Sequence, residues 1–123
     1  MSVQCTEAEW KIMEVLWGSS PRTMAEITKE LEPSTGWTRH TVITLLKRMQ
    51  EKGSVEVDES GSVKRYYPRV TREQASHEQT QKLLSRVFSG KASLLIHNLI
   101  DSGEMSMEEM QEVLDMIRGG HEP

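Results

Sequence analysis

Four times in 123 residues, a hydroxyl side chain stands three places before a Glu or Gln at the head of a run with helical spacing. The pairs are Thr6 with Glu9, Thr23 with Glu26, Thr71 with Gln74, and Ser106 with Glu109. In such a capping box the hydroxyl accepts an amide of the first turn, and the acid or amide side chain accepts the cap residue's own N–H. Two donors that a helix start would leave unpaired are thereby satisfied. The chain is therefore committed to a mainly helical fold. After the first box, Trp10, Met13, Val15, Leu16 and Trp17 form the inward side of a first helix that stops before Gly18-Ser19-Ser20-Pro21. After the second, Ile27 and Leu31 face inward on a short helix, with Pro33 as its expected terminator. Residues 33–37 are then the turn into a third helix.

The stretch GWTRHTVITLLKRMQEKGSVEV, residues 36–57, changes period within itself. Val42, Leu45, Leu46 and Met49 recur at i, i+3, i+4, i+7 and define one face of a helix from about Thr38 to Lys52, closed by Gly53. At 100° per residue, His40, Thr41, Thr44, Lys47 and Arg48 fall across the opposite side. Beyond Gly53 the period drops to two, at Val55 and Val57. A turn at Glu59-Ser60-Gly61-Ser62 comes next, and then a return strand from Val63 to Tyr67 carrying Lys64 and Arg65. Three helices followed by a hairpin is the order of a winged helix-turn-helix.

Composition shifts at Pro68. The third box opens a long polar helix that becomes apolar only at Leu83, Leu84, Val87 and Phe88, before Ser89-Gly90. Residues 91–101, KASLLIHNLID, make a short apolar helix, and the fourth box leads Met110, Val113, Leu114 and Ile117 at helical spacing. The expected domains are 1–70, a winged helix-turn-helix; 71–118, a three-helix dimerisation region; and 119–123, a tail that frays. With 36% hydrophobic residues and six aromatics, these last helices cannot easily close a core alone. A second copy would bury Leu83, Leu84, Val87, Phe88, Leu94, Leu95, Leu99, Met110, Val113, Leu114 and Ile117. The Met and Leu stripe over 105–117 could also line a ligand pocket, but packing or a dimer seam explains the same spacing more simply.

Net charge is -4, yet residues 36–69 hold seven Lys or Arg against four acids, while the segments on either side hold more acids than cations. A basic segment that coincides with a helix following a short helix and a turn points to duplex DNA. The candidate contacts are Thr38, Arg39, His40, Thr41, Thr44, Lys47 and Arg48 from the helix, with Lys64 and Arg65 from the hairpin. The helix would reach base edges and the hairpin a phosphate. The alternative is a winged helix used as a protein-interaction adaptor, which a basic third helix disfavours.

Other chemistry finds little support. The four histidines are scattered, Cys5 has no cysteine partner, and no run has metal-ligand spacing. No glycine loop suits a phosphate and no motif places a nucleophile beside a base, so no enzyme activity, cofactor or metal is expected. A single cysteine, no signal-peptide pattern and no membrane-length apolar stretch suit a soluble cytoplasmic protein.

The runs TEAEWKIMEVLW, WTRHTVITLLKRMQEKG and VKRYYP resemble the BlaI/MecI family of penicillinase repressors, bacterial winged-helix transcription factors. The resemblance covers nearly the whole chain. Its most specific part is W-[S/T]-x-x-T-[V/I]-x-T-L-x-x-R-[L/M]-x-x-K-G. Trp37, Thr38, Thr41, Val42, Thr44, Leu45, Arg48, Met49, Lys52 and Gly53 satisfy this run in register. The resemblance implies a homodimer joined by the C-terminal helices, bound to a palindromic operator and blocking transcription. It further implies relief when a protease linked to a β-lactam sensor cuts an Asn-hydrophobic pair, here Asn98-Leu99. Taken alone, Asn98 is equally an ordinary polar position on a helix. Two departures bear on function. Ile43 stands where familiar members often carry Arg, so their operator sequence does not carry over. The family's copper-responsive branch ends in closely spaced cysteines, which RGGHEP lacks, so copper sensing is not expected.

Overall fold

The computed structural model describes residues 5–120. Residues 1–4 and 121–123, the start of the expected first domain and the end of the expected tail, lie outside the described residues. The elements are α1 (Glu7–Gly18), α2 (Met24–Thr35), α3 (Arg39–Lys52), β1 (Val55–Asp58), β2 (Arg65–Pro68), α4 (Arg72–Val87), α5 (Ala92–Asp101) and α6 (Met107–Gly120). The fold is mainly helical with a two-stranded antiparallel wing. All four capping boxes form. In the first, the Thr6 N–H donates to Glu9 Oε1 at 3.0 Å and the Glu9 N–H to Thr6 Oγ1 at 3.2 Å. The boxes at Thr23, Thr71 and Ser106 repeat the exchange. α3 lacks a box and is capped by the Thr38 hydroxyl alone, and it ends at Gly53, whose φ of 88° suits a residue without Cβ.

The core is built where α1, α2 and α3 meet beneath the wing. α3 buries Val42, Leu45, Leu46 and Met49, the four residues its period selects. They pack with Ile12, Met13, Val15, Leu16, Ile27, Leu31, Val55 and Tyr66. Each large side chain taken fully out of water contributes about 1.5–3 kcal/mol before entropy is charged. The inward side of α1 differs from the expected one. Trp10 and Trp17 are only half-buried and pack edge to face, with centroids 5.1 Å apart at the rim of the core. Ile12 is fully buried in their stead. The stripe that faces the core is 9, 12, 13, 16, with the i, i+3, i+4, i+7 spacing, and it carries Glu9 into the interior.

Two boundaries also move. Pro33 does not end α2 but sits in its last turn. There its missing N–H costs one hydrogen bond, and the helix continues to Thr35. Gly36, with φ 68°, provides the stop, donating its N–H to the Glu32 carbonyl at 2.8 Å. The turn into α3 is thus residues 36–38 rather than 33–37. In the wing, Val55 pairs with Pro68 and Asp58 with Arg65, so the return strand starts at Arg65, not Val63. Asp58 Oδ1 accepts the Ser60 N–H at 2.9 Å, a local turn that leaves 59–64 as the loop and Lys64 at its end. Tyr66 gains a second neighbour, exchanging backbone bonds of 2.8 and 3.2 Å with Arg22, which ties the wing to the α1–α2 connection.

The chain groups into two compact units, one up to Gln79 and one from Thr80, the division falling inside α4. Ala75, on the first turn of α4, is buried within the first unit. In the second unit none of the described residues 80–119 is buried. Gly119 and Gly120, expected in a frayed tail, continue α6.

Candidate nucleic-acid interface

The burial of α3's apolar stripe fixes what its other side shows. Arg39, His40, Thr44, Lys47 and Arg48 are exposed, and Thr41 is half-buried. Among the described residues, Arg39, Lys47 and Arg48 have no carboxylate within ion-pair distance, so the face keeps its positive charge. The hydroxyls are not equivalent. Thr38 Oγ1 accepts the Thr41 N–H at 3.4 Å and serves as the cap. Thr44 Oγ1 donates to the His40 carbonyl at 2.8 Å, which holds its oxygen in place with acceptor capacity to spare.

The wing is more mixed than its cations suggested. Lys64 Nζ lies 3.4 Å from Glu59 Oε1, both exposed. Arg65 has no ion pair among the described residues, but its charge reaches two carboxylates. Asp58 is held below the ordinary carboxylate range, first by hydrogen bonds from Ser60 and further by Arg65. Glu26 is held low by hydrogen bonds at Thr23, with smaller contributions from Arg22 and Arg65. Arg65 therefore lies within electrostatic reach of both the α2 start and the end of β1.

Three further features are not evident from residue patterns alone. A notch of about 280 Å³ lies between the start of α2, α3 and the wing loop, lined by Met24, Ala25, Arg39, Ile43, Val63 and Lys64 among others. A second cleft, of about 550 Å³, brings Thr28 and Lys29 beside Trp37 and Arg39. Spacing identifies only the inward residues of α2, and nothing local indicates which outward ones a wing will approach. The third feature positions α3. Glu9, with a fully buried side chain, accepts Lys52 Nζ at 2.8 Å through Oε1, joining α1 to the last residue of α3. Glu9 Oε2 has no hydrogen-bond partner among the described residues. An acid inside the stripe 9, 12, 13, 16 was the available signal.

In the second unit, Leu83, Val87, Leu94, Val113, Leu114 and Ile117 are exposed, and Leu84, Phe88, Leu95, Leu99 and Met110 are half-buried. Asn98 is exposed, and the Asn98-Leu99 bond lies within α5. Among the described residues no helix is long and apolar enough to cross a membrane.

A three-helix core, a wing and an unpaired basic face on α3 define a winged-helix protein of the transcription-regulator type. The chain belongs to the penicillinase repressor family, which it matches over residues 5–119. It is 26% identical over 114 residues to the penicillinase repressor of Bacillus licheniformis, covering 93% of this chain and 89% of that one. It is 21% identical over 114 residues to the methicillin resistance regulatory protein MecI of Staphylococcus aureus (strain N315), covering 93% of both. Among solved structures, the DNA-binding domain of the repressor BlaI is 30% identical with a TM-score of 0.53, covering 58% of this chain and 88% of that one. The Bacillus licheniformis BlaI monomeric form in complex with the blaP half-operator gives the same identity and TM-score, covering 59% and 90%.

Proposed function

We propose that this protein is a homodimeric repressor that binds a palindromic operator through α3 and the wing. The observation that carries the reading is the exposed face of α3, where three cations have no ion pair among the described residues and a fixed hydroxyl stands among them. His40, Thr44 and Arg39 are placed to reach base edges, because the first turns of a recognition helix enter the major groove. Lys47, Arg48 and Arg65 serve phosphates, and Lys64 joins them by exchanging Glu59 for a phosphate oxygen. The solved complex of the BlaI monomeric form with a half-operator supports the DNA-binding part of the reading, since its protein is 30% identical and similar in fold over the 59% of this chain that it covers.

The exposed leucines, valines and isoleucine of the second unit are the proposed dimer surface, and the family relatives support a regulator tied to β-lactam resistance. Relief by proteolysis at Asn98-Leu99 completes the proposal. Since that bond is helical, a protease would need α5 to open locally before cutting.

The test is fluorescence anisotropy of the full chain on a labelled duplex from the DNA flanking its own gene, against a random duplex of equal length. The expected result is tighter binding to the flanking DNA, with the preference reduced in a His40→Ala/Thr44→Ala variant. Equal affinity for both duplexes in fresh, folded protein would count against sequence-specific binding.

A further inference from the structure

The notch that Ile43 lines is mostly apolar, and its lining also includes two cationic residues, Arg39 and Lys64. Ile43 is half-buried one turn beyond Arg39 and lines the notch together with Val63 of the wing loop, which is 48% exposed. Arg39 and Lys64 border the same space, and Met24 and Ala25 close its α2 side. A core position would be covered, whereas Ile43 and Val63 leave apolar surface partly open to solvent in a notch that Arg39 and Lys64 also line. Lys64 is paired with exposed Glu59 while Arg39 has no ion pair among the described residues, so an occupant that carries negative charge around a small apolar group suits the notch. In the major groove of duplex DNA the apolar group that a base edge presents is the C5-methyl of thymine.

We infer that Ile43, assisted by Val63, is a specificity-determining residue that reads one thymine methyl in each half-site, while Arg39 and Lys64 hold the flanking phosphates or base edge. This inference rests on the proposed DNA binding and deepens it. Ile43 can offer no hydrogen bond, so it discriminates by apolar contact alone, and a cytosine at that position would lack the C5-methyl that the contact reads.

The experiment uses the full chain and a duplex it enriches from a random-sequence library. Each thymine in one half-site is replaced singly by deoxyuridine, which removes the methyl and leaves base pairing intact. One position should lose affinity about four-fold, the effect of one methyl group leaving an apolar environment. In Ile43→Ala that same replacement should cost nothing, while the weakening of binding on raising salt stays as in the parent. A uracil scan that is flat in the parent, or a penalty that persists unchanged in Ile43→Ala, would overturn the inference while leaving DNA binding intact. Ile43→Val, which keeps most of the apolar contact, should retain the penalty and guards against a fold defect in the alanine variant. Failure of the underlying reading would look different, since no duplex would be enriched at all.

Discussion

Glu9 shows how one residue ties sequence, fold and function together. It caps α1, takes a place in the core stripe, and holds Lys52 at the end of α3. Lys52→Met would leave a buried carboxylate with only an amide donor. Breaking such a pair costs about 3–5 kcal/mol, and since Lys52 is a third exposed we expect about 3 kcal/mol by urea unfolding. Adding Glu9→Gln to that variant should recover most of the loss, because the amide still accepts the Thr6 N–H without a buried charge. A single variant as stable as the parent would mean that the pair does not hold α3. Glu14 makes a separate, pH-dependent contribution. Its hydrogen bond from Arg72 holds the carboxyl below the ordinary glutamate range, against burial, with the Trp10 indole N–H helping. A folded pKa below the unfolded one means stability that is present above the unfolded pKa and lost as pH falls through the folded value. Thermal unfolding followed from about pH 6 to about pH 3 should therefore show a shallower acid limb in Glu14→Gln. An identical limb would show that the contact is not maintained in solution. At this scale the sequence was only partly legible. Val42, Leu45, Leu46 and Met49 follow from spacing, but an acid in an apolar stripe reads as surface until its partner, 43 residues away, is known.

Among the elements, the helices were the most legible because every start but that of α5, which follows Lys91 with no side-chain cap, is written locally by a box or a hydroxyl cap. The wing was less so. Its turn depends on Asp58 bonding Ser60, and its strand on pairing with Arg22, a partner far off in sequence. That difference matters for function, since Lys64 belongs to a loop with an acid neighbour. Removing charge from both Lys64 and Arg65 should flatten the dependence of log affinity on log salt by about 0.9 for each phosphate no longer neutralised in each subunit. Arg65→Gln should account for more of the change than Lys64→Gln, because Glu59 already neutralises Lys64 in the free protein. Titrations at several salt concentrations measure this, and an unchanged slope would return both residues to the solvated surface.

At the scale of the whole molecule, the first unit closes its own core and the second does not. No described residue from 80 to 119 is buried, although Val87, Met116 and Ile117 are each more than half exposed. Patterning made the helices of this half legible, while nothing in their own spacing says what would cover their apolar faces. A second copy that covers this surface would bring two α3 helices to face half-sites about 34–36 Å apart. Leu114→Glu/Ile117→Glu should therefore lower the sedimentation coefficient to that of a monomer and weaken DNA binding at least ten-fold. A parent chain already monomeric at working concentrations would remove the basis for that expectation. The most direct test of operator reading by a two-fold dimer is the DNA that the full chain enriches from a random-sequence library. The expected product is an inverted repeat whose half-site centres lie about one helical turn, roughly 10–10.5 base pairs, apart or a multiple of it. Enrichment of a single unpaired motif, or of none, would contradict it.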